Sequence, residues 1–265
     1  MRDPAHILEA AEITVQFGGV RAVAAVSLAI RAGGITALIG PNGAGKTTFF
    51  NALTRLVQPA SGQLFFRAAR GEVELTAMSP DRIARAGIAR TFQNIRLFTD
   101  LSVLDNVKVG LHGRTHGGFW RALGGNRGEE RRITGAALQY LDFVGLADRA
   151  AEQSDSLSYG EQRKLEIARA LACGPRLLLL DEPAAGMNPQ ETQTLVELIR
   201  RIRQAGVTIL LIEHDMKLVM RISDFVYVLD HGELIAEGEP AAVQKDPRVI
   251  EAYLGPQYRP AGEAH

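Results

Sequence analysis

Thiols are nearly missing from this chain: Cys173 is its one cysteine, so no internal disulfide can form, and its neighbours Leu171, Ala172 and Gly174 suggest a packing residue of a reducing compartment. Charge of one sign is missing too. Thirty Lys and Arg balance thirty Asp and Glu, so no long-range field draws the chain to nucleic acid or anionic lipid. No apolar run approaches the roughly 18 residues needed to span a bilayer, and Met1-Arg2-Asp3-Pro4 opens no signal-peptide core. The expectation is a soluble globular protein whose membrane association depends on a protein partner. At 265 residues and 46% hydrophobic, it has enough apolar mass for one large domain, or one domain with an inserted lobe.

What is present is centred on Gly40-Pro41-Asn42-Gly43-Ala44-Gly45-Lys46-Thr47-Thr48, lying between the apolar run Ile35–Ile39 and Phe49-Phe50-Asn51-Ala52-Leu53. This is G-x-x-x-x-G-K-[ST] in a strand–loop–helix setting. Glycines let the backbone turn tightly and bring successive N–H groups to phosphate oxygens, and the following helix adds its N-terminal donors and dipole. Lys46 then reaches the β- and γ-phosphates and the Thr47 hydroxyl ligates Mg²⁺. A glycine-rich turn before an ordinary helix is the plainer alternative.

Upstream, Ile7–Phe17 and Val23–Ile30 read as two strands around Gly18-Gly19, a small antiparallel lobe beside the loop. Phe17 ends the first strand, where it either fills a core or stacks on an adenine ring. Ser61–Phe66 and Glu72–Leu75 read as further edge strands, and Ser79-Pro80-Asp81 as a helix start. Ile88–Phe92 is an apolar run ending at Gln93, whose amide suits a metal or an attacking water but is equally a surface residue. From Asn94 to Asp155 the pattern is helical, Ser102 capping Val103–Leu111 and Glu129–Val144 carrying one apolar face. Gly113–Gly128, with Arg114, Arg121, Arg127 and Trp120, reads as an exposed loop or broken helix. His112 and His116 stand four apart, yet no third ligand accompanies them, which favours solvated histidines.

Leu157-Ser158-Tyr159-Gly160-Glu161-Gln162 opens a helix with an S-x-x-E capping box at Ser158 and Glu161, an anion site or simply a well-capped end. Leu177-Leu178-Leu179-Leu180 reads as a strand buried on both faces, ending at Asp181-Glu182. At the carboxyl end of such a strand, Asp181 suits Mg²⁺ and Glu182 an attacking water. Asn188-Pro189-Gln190-Glu191 starts a further helix, and Val207–Ile212 is a second buried strand leading to Glu213-His214-Asp215, where His214 either donates to the γ-phosphate or is a lone histidine without a role. Phe225–Leu229 and Glu233–Ala236 form a closing hairpin, and Pro256–His265 reads as a loose tail.

Taken together, Gly40–Thr48, Gln93, Leu157–Gln162, Leu177–Glu182 and His214 resemble the motif set of the ABC transporter ATPase family over nearly the whole chain. Leu157–Gln162 is similar to the family's L-S-G-G-Q, with Tyr159 in place of the first glycine and Glu161 before the glutamine. The resemblance implies an α/β P-loop (RecA-like) core with a mostly parallel sheet, an N-terminal antiparallel β subdomain and an inserted helical subdomain. The implied boundaries are one domain over 1–255, with 1–93 and 174–255 as core and β subdomain and about 94–173 helical. It further implies Phe17 on the adenine, Gln93 as the lid, Glu182 as base and His214 on the γ-phosphate. Ala184–Pro189, Arg90–Phe98 and Val249–Gly255 are similar to the ATPase subunits of branched-chain (hydrophobic) amino acid importers. Asn188 departs from the usual S-A-L-D aspartate, which touches that residue's role in subunit cross-talk.

The implied function is ATP hydrolysis driving uptake of hydrophobic amino acids. ATP binds between the loop of one subunit and the Ser158–Gly160 helix end, with Tyr159, Glu161 and Gln162, of a second ATPase, identical or a sister chain. Gln93–Phe98 docks a permease on the cytoplasmic face of the membrane, served by an extracytoplasmic binding protein. Nucleic acid is not an expected partner: ribosome-type members carry two such units, clamp-type ones a coiled coil, and the charge is neutral. An ATPase of a lipid or lipopolysaccharide exporter is the nearer alternative, separated only by Gly186-Met187-Asn188-Pro189.

Overall fold

The computed structural model describes residues 3, 5–112 and 127–255. The glycine- and arginine-bearing stretch 113–126, with His116 and Trp120, and the expected tail 256–265 lie outside the described residues. In chain order the elements are β1 (His6–Phe17), β2 (Val20–Arg31), β3 (Ile35–Ile39), α1 (Lys46–Leu53), β4 (Ser61–Ala68), β5 (Gly71–Glu74), α2 (Pro80–Ala86) and β6 (Ile88–Arg90). There follow α3 (Val103–His112), α4 (Arg127–Val144), α5 (Tyr159–Ala172), β7 (Leu177–Asp181) and α6 (Pro189–Gln204). The chain closes with β8 (Thr208–Ile212), α7 (Met216–Ile222), β9 (Phe225–Asp230), β10 (Glu233–Gly238), α8 (Pro240–Val243) and α9 (Pro247–Leu254). Two compact units result, Met1–Ile83 with Thr208–His265, and Ala84–Val207.

The first unit holds two sheets. An antiparallel one runs β2-β1-β4-β5, and in β1 and β2 the residues facing the core, Ile13, Val15, Val23, Val26 and Ile30, are buried while their neighbours are wet. That alternation is what a sheet with one covered face requires. The other is ordered β10-β9-β3-β8 within this unit, β3 parallel to both β8 and β9, with Ile35 opposite Ile209 and Ala37 opposite Val226. Every residue of β3 and β8 is buried, as a parallel strand covered on both faces must be. Behind β3 the apolar residues Phe49, Phe50, Ala52 and Leu53 sink α1 into the core.

The second unit pairs β6 with β7 in parallel, Ile88 opposite Leu177 and Arg90 opposite Leu179. The four leucines 177–180 are fully buried, each contributing about 1.5–3 kcal/mol over an exposed position. In α6, Leu195, Leu198, Ile199 and Ile202 recur on one face and are buried, the spacing of an amphipathic helix. Helix α3 starts where Ser102 Oγ accepts from the Asp105 amide at 3.0 Å. Among the described residues no helix is long and apolar enough to cross a membrane.

Candidate functional site

In the first unit the site is mostly backbone. Strand β3 delivers the chain to Gly40, and the loop ends at Gly45, the N-cap of α1, in a left-handed conformation (φ 97°) with no side chain to cap the helix. A Cβ at Gly45 would sit 2.4 Å from the Ala22 carbonyl oxygen, so only glycine fits. The first-turn N–H groups of α1 stand outside the intrahelical ladder, and Gly45 brings no side chain to cap them. The Lys46 side chain is 6% exposed, and its ammonium donates to the Gly40 and Pro41 carbonyls at 2.8 and 2.9 Å. It is folded back over the loop. Ala44 is buried, whereas Asn42, Gly43 and Thr47 face solvent; a triphosphate fits this cradle of amides, one ammonium and one accessible hydroxyl.

Two other expected residues lie in the same unit. Phe17 is 52% exposed at the end of β1, which removes the core reading and leaves its ring accessible for stacking. His214 follows β8 and is solvent-facing, while its neighbour Glu213 is buried.

In the second unit the site is built from charge. Strand β7 ends at Asp181, 1% exposed, whose Oδ2 accepts from Arg90 Nη2 at 2.7 Å. Its Oδ1 is buried without a hydrogen-bond partner, an orphan acceptor of the kind a divalent cation satisfies. Glu182 follows with φ 45°, a left-handed backbone that costs a non-glycine residue energy and concentrates at functional sites. Its Oε2 accepts from Gln93 Nε2 at 2.9 Å. The run from Ile88 to Gln93 and the strand carrying Asp181 and Glu182 therefore meet, as two independent motifs read from the sequence.

Helix α5 has the capping box its spelling predicts. Ser158 Oγ accepts from the Glu161 amide at 3.4 Å, and Glu161 Oε2 accepts from the Ser158 amide and hydroxyl at 2.9 and 2.8 Å. These bonds and Arg149 hold the Glu161 carboxyl below its usual range. Gln162 Nε2 donates to the Leu157 carbonyl at 3.0 Å, and the Glu191 side chain packs over Gly160. Tyr159 keeps its ring partly exposed, its hydroxyl accepting from Arg163 at 3.3 Å.

Sequence reasoning missed the groups that hold this arrangement. Arg163 of α5 is fully buried and donates to Glu166 Oε2 at 2.7 Å, to the Phe92 carbonyl at 2.5 Å and to the Gln93 carbonyl at 2.7 Å. Glu166 Oε1 accepts from the amides of Phe92 and Arg96, each at 3.3 Å. Burial pushes the Glu166 carboxyl upward, with Arg163 pulling against it. The available signal was two opposite charges three apart among Leu165, Ile167 and Ala168, an apolar setting in which a solvated pair is out of place. Asn188 caps α6, as its spelling predicts: its side chain accepts from the Glu191 amide and its own amide donates to Glu191 Oε2, both at 2.9 Å. Asparagine caps a helix as well as aspartate does.

A glycine loop between a buried parallel strand and a helix, in an α/β fold, defines a P-loop nucleotide-binding protein. The family model described as ABC transporter matches residues 23–185, and one described as branched-chain amino acid ATP-binding cassette transporter matches residues 233–255. The chain is 44% identical to the high-affinity branched-chain amino acid transport ATP-binding protein BraF of Pseudomonas aeruginosa, covering 94% of this chain and 98% of that one. It is also 44% identical to LivG of Escherichia coli K12, covering 92% and 95% respectively. Among solved structures, a nucleotide-free ATP-binding cassette from an ABC transporter superposes with TM-score 0.82 at 29% identity over 94% of this chain and 98% of that one. The ADP conformation of MJ1267, an ATP-binding cassette of an ABC transporter, gives 0.81 at 30% over 94% and 99%. The chain belongs to the ABC transporter family, in the branch of the branched-chain amino acid transport ATP-binding proteins, and is an ATP-hydrolysing transport subunit.

Proposed function

We propose that the protein is the ATPase of an importer for branched-chain or other hydrophobic amino acids, working as one of two ATPase chains on the cytoplasmic side of a permease. One 1–255 ATPase domain carries the chemistry, with about 94–173 as its helical subdomain. The observation that supports this reading most is the contact between Gln93 and Glu182, which joins a polar lid residue to the carboxylate of a residue held in a left-handed backbone just past a buried strand.

In this reading Phe17 stacks on the adenine, and the loop amides from Gly40 to Thr48 with Lys46 bind the phosphates. Thr47, Asp181 and Gln93 would hold Mg²⁺, which would offset the negative charge of the triphosphate. Glu182 accepts a proton from water as the water oxygen bonds to the γ-phosphorus and the bond to the β–γ bridging oxygen breaks, yielding ADP and phosphate. His214 donates to the γ-phosphate. Ser158, Tyr159, Gly160, Glu161 and Gln162 present the start of α5 to the nucleotide of the other ATPase chain, a second copy or a sister. ATP then favours the closed pair, and loss of the γ-phosphate opens it. Gln93–Phe98, where Phe98 is half exposed, docks the permease, and an extracytoplasmic binding protein selects the solute.

Purification of the tagged chain from its own membranes tests this. Permease subunits should accompany it, and the complex in ATP-loaded vesicles should take up leucine, isoleucine or valine. Recovery with ribosomes, or ATP-driven export of a lipid by the same complex, would contradict it.

A further inference from the structure

The phosphate loop is held at its entrance by a residue far away in sequence. Gly40 has φ 147°, and a Cβ there would lie 2.0 Å from the Leu229 carbonyl oxygen, so the loop enters pressed against β9. Both backbone polar groups of Gly40 are committed. Its carbonyl accepts from Lys46 Nζ at 2.8 Å, and its N–H donates to the Tyr253 hydroxyl at 2.9 Å. Tyr253 lies on α9, where Val249, one turn earlier and 3% exposed, anchors the same face. Burial raises the Tyr253 hydroxyl above its ordinary pKa, so it stays a neutral phenol, able to accept. A second tie comes from the β9–β10 turn, where the Gly232 amide donates to the Ala44 carbonyl at 3.1 Å. The segment matched by the branched-chain family model, 233–255, begins just after that turn and includes Tyr253.

Resting on the reading of the loop as the ATP site, we propose that Tyr253 is a positioning residue for nucleotide binding: from the C-terminal helix, its hydroxyl fixes the first amide of the phosphate loop. That amide precedes the ones that cradle phosphate, so holding it aims the others before ATP arrives. Pre-set donors avoid an ordering cost at the moment of binding.

Tyr253→Phe in the full chain tests this, since it keeps the ring and removes one oxygen. The Gly40 amide signal in a nitrogen-15 spectrum of the nucleotide-free protein should move and exchange faster with deuterium. The Kd for ATP should rise about three- to tenfold, the loss of one hydrogen bond, while kcat at saturating ATP stays within about twofold. An unmoved Gly40 signal, or ATP affinity equal to the parent's, overturns the proposal; so does a fall in kcat with no change in affinity. The amide signal is read without nucleotide, so the latch is judged even if the parent chain proves not to bind ATP, a result that would instead remove the nucleotide reading of the loop.

Discussion

The phosphate loop and the Glu182 cluster are made of different materials. Around Gly40–Thr48 the shape comes from backbone held by sterics, with Gly45 against Ala22 and Gly40 against Leu229, and with one buried lysine supplying charge. Around Glu182 the shape comes from acidic and basic side chains buried in pairs, Arg90 with Asp181 and Arg163 with Glu166. A steric scaffold tolerates loss of a side chain but not addition of a methyl. A charge scaffold behaves the other way: removing one partner strands the other in a poor solvent. The first region therefore loses function while keeping its fold, and the second risks both.

The largest expected effect sharpens this contrast within the charged region. Glu182→Gln should cut phosphate release by about 10² to 10⁴-fold, the range of a general base, with ATP affinity almost unchanged; undiminished turnover would remove Glu182 from that role. Arg163→Met should cost about 3–5 kcal/mol in urea unfolding because Glu166 is left buried alone, and Arg163→Met with Glu166→Leu should recover most of it. Equal stability of the single variant and the parent would break the comparison. Lys46→Ala should weaken ATP binding by about 100-fold, a lost charge-assisted contact, without altering the unfolding midpoint. Near-native affinity would mean the loop is not the phosphate site. Smallest is the pair of caps: Ser158→Ala should cost about 1 kcal/mol, and Asn188→Asp under about 0.5 kcal/mol, both read by thermal unfolding.

Local features were legible in the sequence because their partners are near in the chain. The loop's glycines, the S-x-x-E box of Ser158 and Glu161 and the Asn188-Pro189 helix start each close within a few residues, and the leucines of β7 signal burial by themselves. Arg163 was hard to read for the opposite reason: its carbonyl partners lie at Phe92 and Gln93, about seventy residues away, and only its apolar neighbours and Glu166 three residues on pointed to burial. Tyr253 and Gly40, 213 residues apart, share that fate. The left-handed backbone of Glu182 left no mark, since nothing in a Leu-Asp-Glu-Pro spelling requires it. Phe17 was ambiguous because strand-end aromatics fill cores and stack on rings alike, and its exposure speaks only against the core.

In the proposed function, ATP joins two ATPase chains through the start of α5. Sedimentation of the Glu182→Gln chain, alone and mixed with its sister ATPase, tests it most directly when ATP is compared with ADP. Two-chain species should form with ATP and single chains with ADP; single chains under both nucleotides, in both mixtures, would rule out ATP-driven pairing.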